Sequence, residues 1–216
     1  FVLMNLEIEE CTLPKNPAIE DKWIISRYNS VVKSVTENLD NFELGVALSN
    51  LYDFIWDEFC DWYIELAKAR LNEKDTAANL VCQNVIAYVL SSALKLLHPF
   101  MPFITEEIFC TIQSEEESIM ISKWPEYTEE RAFAKEESDI ETIKGAVRGI
   151  RNVRSEMNVP PSKKALVYVV SEKEEVLKVF EESGLFFASL AYASEVKTQA
   201  TKDGIADDAV SVVIPG

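Results

Sequence analysis

Glycine, histidine and closely spaced cysteines are scarce in this sequence. Its 216 residues include six glycines and one histidine, and the motifs GxGxxG, GxxxxGK[ST], HExxH and GxSxG are absent. In enzymes these motifs supply phosphate-binding loops, zinc ligands and nucleophile turns. We therefore expect no catalytic residue in this chain.

The cysteines do not form a metal-binding pattern. They stand at positions 11, 60, 82 and 110 without a CxxC pair, and His98 is the only imidazole. Zinc needs closely spaced thiolate or imidazole ligands, so we expect no metal site. The last three cysteines fall within apolar helical patterns, which predicts buried, reduced thiols and a cytoplasmic protein.

Long apolar runs are also missing, and none approaches the ~20 residues needed to cross a bilayer. Hydrophobic residues make up 48% of the chain and charged residues 27%, as is typical of a soluble globular protein. The start, Phe1 to Asn5, has neither an initiator Met nor the charged region of a signal peptide. We interpret it as a cut through a longer protein and expect no membrane partner.

Negative charge dominates, but it is unevenly distributed. The net charge is −16, which disfavours general binding to nucleic acid because phosphate contacts need cations. Between Glu141 and Lys164, six cations face two anions, so this segment is +4 and the rest is −20. A local basic strip on an acidic body permits a confined RNA contact.

Apolar periodicity predicts a mainly α chain with two parts. Residues 1–125 are predicted to form a helical bundle, and residues 126–216 a helix followed by a small α+β subdomain. The expected helices are 18–39, 44–71 with Asn41 as N-cap, 75–97, 102–112, 136–157 and 171–183. Strands are expected at 165–170, 195–198 and 209–214.

Three groups of polar or aromatic residues have more ordinary explanations than catalysis. His98 follows a helix and precedes Pro99, which favours a helix-terminating role. The carboxylates at 57, 58, 61 and 65 are interpreted as a solvated face or as partners of basic residues. Phe59 and Trp62 fit a helical core, whereas Trp56 and Tyr63 could be core or could stack on RNA bases.

The most promising binding residues are Lys144, Arg148, Arg151 and Arg154. Their steps of four, three and three keep them roughly on one side of a helix. Guanidinium groups in such a row could hold phosphates in a bidentate way. A solvated basic face that pairs with the acidic body explains the row equally well, and both interpretations stay open.

Several segments resemble the valyl-tRNA synthetase family of class I aminoacyl-tRNA synthetases. Segment 96–109, LLHPFMPFITEEIF, resembles the helical bundle shared by the valine, isoleucine, leucine and methionine enzymes. Segments 57–63, DEFCDWY, and 151–161, RNVRSEMNVPP, resemble the valine enzyme specifically. Residues 1–5 and 21–24 are similar to the junction helix and to the start of the next bundle helix.

The resemblance implies the C-terminal anticodon-binding region of a ligase that attaches valine to its tRNA with ATP and magnesium, and that edits mischarged tRNA. The signatures His-Ile-Gly-His and Lys-Met-Ser-Lys-Ser are absent, so the fragment should hold no cofactor and be inactive alone. Implied partners are the anticodon stem-loop of valine tRNA and the catalytic domain of the same chain, in a monomer.

The residues implied for tRNA binding come from two regions. On the bundle side they are Phe1, Asn5 and Arg27, and after the bundle Arg148, Arg151 and Arg154 are the phosphate candidates.

Three other functions stay open. They are a structural helical module that braces the catalytic domain, the equivalent domain of an isoleucyl- or leucyl-tRNA synthetase, and a stand-alone acidic adaptor.

Overall fold

The computed structural model describes residues 2–8, 12–113 and 116–214. It contains two compact units, residues 1–137 and 138–216, which we call unit 1 and unit 2. The division therefore lies later than 125/126, where the sequence pattern changes.

Residues 126–137 belong with unit 1 because they bond to its first long helix. Asn29 Nδ2 donates to the carbonyl of Thr128 at 2.8 Å, and the Thr128 amide donates to Asn29 Oδ1 at 3.0 Å. The Phe133 amide donates to Ser26 Oγ at 2.8 Å. These bonds satisfy backbone groups of an otherwise irregular segment, which is what fixes it against the bundle.

Unit 1 is a helical bundle, as the apolar periodicity predicts. Its elements are α1 (Val2–Asn5), α2 (Ile19–Asp40), α3 (Leu44–Asp53), a π-helix (Phe54–Tyr63), α4 (Ile64–Asn72), α5 (Ala77–Leu97), α6 (Pro102–Ile112) and two 3₁₀ turns (Ile119–Ile121 and Glu129–Arg131). Helix α7 (Ala134–Glu156) begins in this unit and continues into unit 2. Helix α2 packs against α3, the π-helix and α5, and its Trp23, Ile24 and Val35 are fully buried.

A buried ion network joins the start of α2 to the end of α4. Asp21 is fully buried and accepts two hydrogen bonds from Arg70, at 2.6 and 2.8 Å. The Tyr63 hydroxyl donates to the same carboxylate at 2.7 Å, and Glu20 lies 2.8 Å from Arg70. Burial alone would lower the pKa of Arg70, but the two carboxylates together raise it. The network fixes the α2–α4 pairing because losing either charge would leave the other uncompensated.

The helix predicted over 44–71 is helical throughout, but its middle is a π-helix. The i→i+5 bonding of a π-helix rotates the following residues relative to an α-helix. Within the π-helix Phe54 and Tyr63 are buried, whereas Leu48 and Tyr52, which lie before it in α3, are exposed. The predicted cap is also wrong, since Asn41 ends α2 and Glu43 precedes α3.

Helix α5 is long and apolar on average, although polar residues interrupt it so that it contains no unbroken apolar run of 20 residues. It has 21 residues and a mean hydropathy of 1.6, so by length and composition alone it could cross a membrane. Its polar residues Asn79 and Gln83 are buried and hydrogen-bonded. More than half of the helix window is buried inside unit 1, which is the behaviour of a core helix.

Unit 2 is the small α+β part. The end of α7 is followed by β1 (Ala165–Val170), α8 (Glu174–Glu182), α9 (Gly184–Leu190) and β2 (Ala193–Gln199). The two strands pair in parallel, with Val167 opposite Val196, and the two helices form the crossover that parallel pairing requires.

The tail of unit 2 differs from its prediction. Residues 209–214 form no strand, although their alternating valines favoured one. They instead run past α7, where Val212 and Ile214 contact Gly149 and Gly145. A Cβ at Gly149 would come within 2.8 Å of Val212, so the close approach depends on glycine.

Candidate RNA-binding site

The cationic row on α7 divides into two exposed and two buried residues. Arg148 and Arg151 are exposed, whereas Lys144 and Arg154 are only 5% and 7% exposed. Lys144 pairs with Glu141 at 2.5 Å. The row therefore does not form one solvated basic face. Arg154 follows the fully buried Val147 by seven residues and so lies on the buried face of α7.

Arg154 holds the turn after α7. Its Nη2 donates to the carbonyl of Pro160 at 2.9 Å and to the carbonyl of Lys163 at 2.6 Å. Its guanidinium lies 5.4 Å from the centre of the Tyr192 ring, within cation–π range. These contacts give Arg154 a structural role, so it reaches a ligand only through the part of its guanidinium that these partners leave uncovered.

Helix α7 ends in a Schellman motif. Asn158 adopts the left-handed conformation with φ of 52°, and its amide donates to Ser155 O at 3.1 Å. The Val159 amide donates to Arg154 O at 2.8 Å. The motif satisfies two carbonyls of the last turn and fixes the direction in which the chain leaves the helix.

Arg151 is exposed yet oriented. Its Nε donates to the carbonyl of Leu190 at 2.6 Å. This bond uses one of the five guanidinium N–H donors and restricts the orientation of the group. Arg151 is thus the member of the row best placed to hold a phosphate at the surface of unit 2.

Arg27, a candidate on the bundle side, is engaged within unit 1. It forms a bidentate pair with Glu58, with both nitrogen–oxygen distances at 2.8 Å, and lies 3.5 Å from Glu137. The hydrogen bonds to Glu58 raise the pKa of the Arg27 guanidinium. An open groove of about 400 Å³ beside this pair is lined by Ser30, Ser34, Asn50 and Asp53, among others. To contact a phosphate, Arg27 would have to exchange a carboxylate partner for it.

The remaining bundle-side candidates lie near the start of the chain. Phe1 lies outside the described residues. Asn5 is half-buried in α1, and the segment after it is tied to α5 by a hydrogen bond of 2.6 Å from the Glu7 amide to Gln83 Oε1. The structure therefore places Asn5 beside the core of unit 1.

The aromatic residues of the π-helix differ in solvent exposure. Phe59, Trp62 and Tyr63 are 9% exposed or less, which confirms the core interpretation for Phe59 and Trp62 and settles Tyr63 as core. Trp56 is 55% exposed and lies 6.3 Å from the exposed ring of Tyr52. An exposed aromatic pair is the arrangement that can stack on a base or pack against another protein surface.

The other polar candidates have structural partners. His98 ends α5, as predicted, and its Nδ1 lies 2.7 Å from Thr105 Oγ1. Two of the four carboxylates in the π-helix and α4 form ion pairs, Glu58 with Arg27 and Glu65 with Lys68. The other two, Asp57 and Asp61, are exposed. Among the described residues, no group of three or more His, Cys, Asp or Glu side chains is placed to hold a metal ion.

The prediction of buried thiols holds for one cysteine. Cys82 is fully buried, and burial raises the pKa of its thiol to about 12. Cys60 is half-buried and Cys110 is exposed, because α6 turns that face outward. Cys11 lies outside the described residues.

Two residues beside Arg151 and Arg154 were not identified from the sequence. Ser155 and Tyr192 line a cavity together with both arginines. No local pattern singles out Tyr192, because it reaches the arginines only through the crossover that brings the end of α9 back to α7. The positive φ of 56° at Tyr192 is likewise invisible in the sequence.

Comparisons with known proteins agree with this architecture. The chain matches the family model described as the anticodon-binding domain of tRNA ligase over residues 21–170. It is 47% identical, over its whole length, to the valine–tRNA ligases of Clostridium tetani and Clostridium perfringens. It is 38% identical over its whole length to the valine–tRNA ligase of Bacillus licheniformis. In each case the chain spans about a quarter (25%) of the relative's length.

Proposed function

Because the chain belongs to the anticodon-binding domain family of tRNA ligases, we propose that it is the anticodon-binding region of a valine–tRNA ligase. In this role it binds the anticodon stem-loop of the tRNA for valine. The observation that carries the proposal is the 47% identity to two valine–tRNA ligases along the entire chain.

The charge distribution supports a confined RNA contact. Residues 1–137 contain eleven Lys and Arg against twenty-five Asp and Glu, a net charge of −14, so most of unit 1 repels phosphate. Arg148 and Arg151 lie exposed on unit 2 and present cations to solvent. A stem-loop held by its backbone at such a strip could present its unpaired bases for reading by stacking and by their exposed edges.

The chemistry of the parent enzyme is assigned to its other domains. This assignment is supported by the lack of a phosphate-binding glycine loop in the sequence and, among the described residues, of a cluster of three or more His, Cys, Asp or Glu side chains. We assign ATP and magnesium to the rest of the ligase, which is cytoplasmic and monomeric in this proposal. The 216-residue chain should show no valine-dependent exchange of pyrophosphate into ATP, and measurable exchange would overturn this assignment.

The proposal is tested by binding of a labelled anticodon stem-loop of valine tRNA at low salt. The competitor is the same stem-loop with a scrambled anticodon. A clear preference for the valine anticodon is the expected result, and equal affinity for both would contradict anticodon recognition by this chain.

A charge-matched pair of double variants separates the arginine strip from general electrostatics. Arg148→Ala with Arg151→Ala should weaken binding and reduce the dependence of log Kd on log salt by about 0.7 for each lost phosphate contact. Lys178→Ala with Lys202→Ala removes the same charge from exposed positions elsewhere on unit 2. The two double variants should differ, and identical losses would point to nonspecific attraction.

One observation favours a second candidate function, a module that braces the catalytic domain. The exposed pair of Tyr52 and Trp56 lies on the acidic unit 1, where a protein surface is a better partner than RNA. This candidate predicts no preference between anticodons, so the stem-loop competition distinguishes it from anticodon recognition.

A further inference from the structure

A cavity of about 180 Å³ lies in unit 2 at the end of α7. It is lined by Arg151, Arg154, Ser155, Val159, Pro161 and Tyr192. All of these residues belong to unit 2, and both charged members are cations. The cavity therefore combines two guanidinium groups, a serine hydroxyl and a tyrosine ring around one small volume.

The less exposed of the two arginines has an unused donor. Arg154 is 7% exposed, and its Nη1 is buried without a hydrogen-bond partner among the described residues. Its Nη2, by contrast, is fully used by the carbonyls of Pro160 and Lys163. A buried donor on a charged group is costly to leave unsatisfied, so a shift of the Arg154 side chain that brings this nitrogen to an acceptor would be favourable.

The positive charge at this cavity is not neutralised internally. No carboxylate of the described residues forms an ion pair with Arg151 or Arg154, whose partners are backbone carbonyls and the Tyr192 ring. The loop held by Arg154 also carries exposed Lys163 and Lys164. An acceptor that carries negative charge would satisfy both the free donor and the excess charge, whereas a water molecule would satisfy only the donor.

One local effect opposes an anion here. The cavity lies at the C-terminus of α7, where the helix dipole disfavours negative charge by about 2- to 5-fold in an equilibrium constant. The Schellman motif already satisfies the carbonyls of Arg154 and Ser155, which reduces this effect. A charge-assisted hydrogen bond is worth about 10- to 100-fold, so two guanidinium groups outweigh the dipole.

We propose that Arg151, Arg154, Ser155 and Tyr192 form a binding site for a single phosphate group. The terminal nitrogens of Arg151 and the Ser155 hydroxyl donate to the phosphate oxygens. Arg154 Nη1, which is buried in the chain without ligand, joins them after a shift of its side chain. Under the function proposed above, on which this part rests, the phosphate belongs to the backbone of the bound tRNA. The same chemistry would also admit free inorganic phosphate.

The competing explanation is that Arg154 only fastens the turn after α7. Removing Arg154 would not separate the two explanations, because the turn depends on its bonds to Pro160 and Lys163. The test therefore changes residues that line the cavity without holding the turn. Ser155→Asp places a carboxylate beside the guanidinium groups, and Ser162→Asp places the same charge on a nearby exposed residue outside the cavity.

The first measurement follows the arginine side-chain resonances of the ¹⁵N-labelled 216-residue chain during titration with inorganic phosphate. Sodium chloride at equal ionic strength is the control salt. Saturable shifts at Arg151 and Arg154 are expected with phosphate only, with at least ~10-fold weaker binding in Ser155→Asp and a change within about 2-fold in Ser162→Asp. Equal shifts in both salts, or equal effects of the two variants, would overturn the site.

The second measurement identifies the source of the phosphate. Stem-loop binding should weaken at least ~10-fold in Ser155→Asp but not in Ser162→Asp, equally for the valine and scrambled anticodons, with a salt slope lower by about 0.7. Saturable phosphate binding with unchanged stem-loop affinity would overturn the RNA source and leave a site for free phosphate.

These outcomes are distinguishable from failure of the proposed function. Anticodon preference that persists while Ser155→Asp has no effect would contradict only the phosphate site. A saturable phosphate site in a chain that does not prefer the valine anticodon would contradict only anticodon recognition. Thermal unfolding of both variants confirms that any loss reflects the site and not the fold.

Discussion

Two arginines of unit 1 and two of unit 2 have opposite kinds of partner. Unit 1 has a net charge of −14, and Arg27 and Arg70 are each paired with two carboxylates. Unit 2 has ten Lys and Arg against twelve Asp and Glu, a net charge of −2, and Arg151 and Arg154 contact carbonyl oxygens instead. Arg27 and Arg70 are therefore neutralised where they stabilise the fold, whereas the charges of Arg151 and Arg154 are not paired with a carboxylate of the described residues.

The largest loss of stability should come from disrupting the buried ion network of unit 1. Arg70→Met leaves Asp21, which is fully buried, without its counter-ion. We expect a loss of about 3–5 kcal/mol in the free energy of unfolding, measured by urea denaturation. Lys68→Met is the control, because its pair with Glu65 is exposed and should contribute ~1 kcal/mol or less. Equal losses would show that burial of the Arg70 network does not matter.

The same network predicts that the free energy of unfolding depends on pH, with a change nearly as large as the effect of Arg70→Met. Burial raises the pKa of the Glu20 carboxyl from 4.5 to about 7, while Arg70 opposes the shift. The folded state then binds more protons than the unfolded state between these values. This group's contribution is therefore fully present below pH ~4.5 and is lost, by about 3 kcal/mol, as the pH rises through about 7.

Comparison with Glu20→Gln isolates this effect from other carboxylates. The difference in unfolding free energy between the two proteins should change between pH 5 and pH 8, with the variant gaining relative stability at the higher pH. A constant difference across this range would show that Glu20 stays ionised in the folded state.

A smaller loss of stability is expected when the partly exposed ion pair between Arg27 and Glu58 is removed. Arg27→Gln removes a half-exposed bidentate pair with Glu58, which should cost about 1 kcal/mol of stability. Because Arg27 is already neutralised, its loss should change the salt dependence of stem-loop binding less than Arg151→Gln does. If both variants lower the salt slope equally, the contrast between the two units breaks down and Arg27 is itself a phosphate contact.

The smallest effect on stability is expected in the strip of unit 2. Arg148 is exposed, so Arg148→Ala should change the free energy of unfolding by ~0.5 kcal/mol or less while weakening stem-loop binding. Thermal denaturation beside the binding measurement separates the two effects. A loss of several kcal/mol would place Arg148 among the structural arginines.

Much of the fold was predictable from local signals. Pro99 and Pro102 set the end of α5 and the start of α6, and α6 has the predicted bounds of Pro102–Ile112. The run 165–170 is β1 as predicted, because a short β-branched and aromatic segment between polar residues fits a strand. The π-helix was not predictable in this way, since its composition is that of an ordinary helix and its 10 residues are too few for the longer period to be recognised.

The candidate site was predictable only in part. The positions of the arginines on α7 follow from their spacing, but their exposure does not, because Lys144 and Arg154 are buried. The 209–214 segment shows the same limit, since its valines pack against glycines of α7 instead of pairing with a strand. The exposure of the α7 cations and the conformation of residues 209–214 both depend on which distant segment packs against them.

The helical bundle, its family and the basic strip on an acidic chain could be read from the residue order, because periodicity, motifs and charge are properties of residues close together along the chain. Which arginines are neutralised and which keep their charge depends on the folded arrangement. Arg70 meets Asp21 across 49 positions, and Tyr192 meets Arg154 through the crossover after β1. Such pairings depend on the packing of distant segments, which also excludes water and sets the strength of each charge.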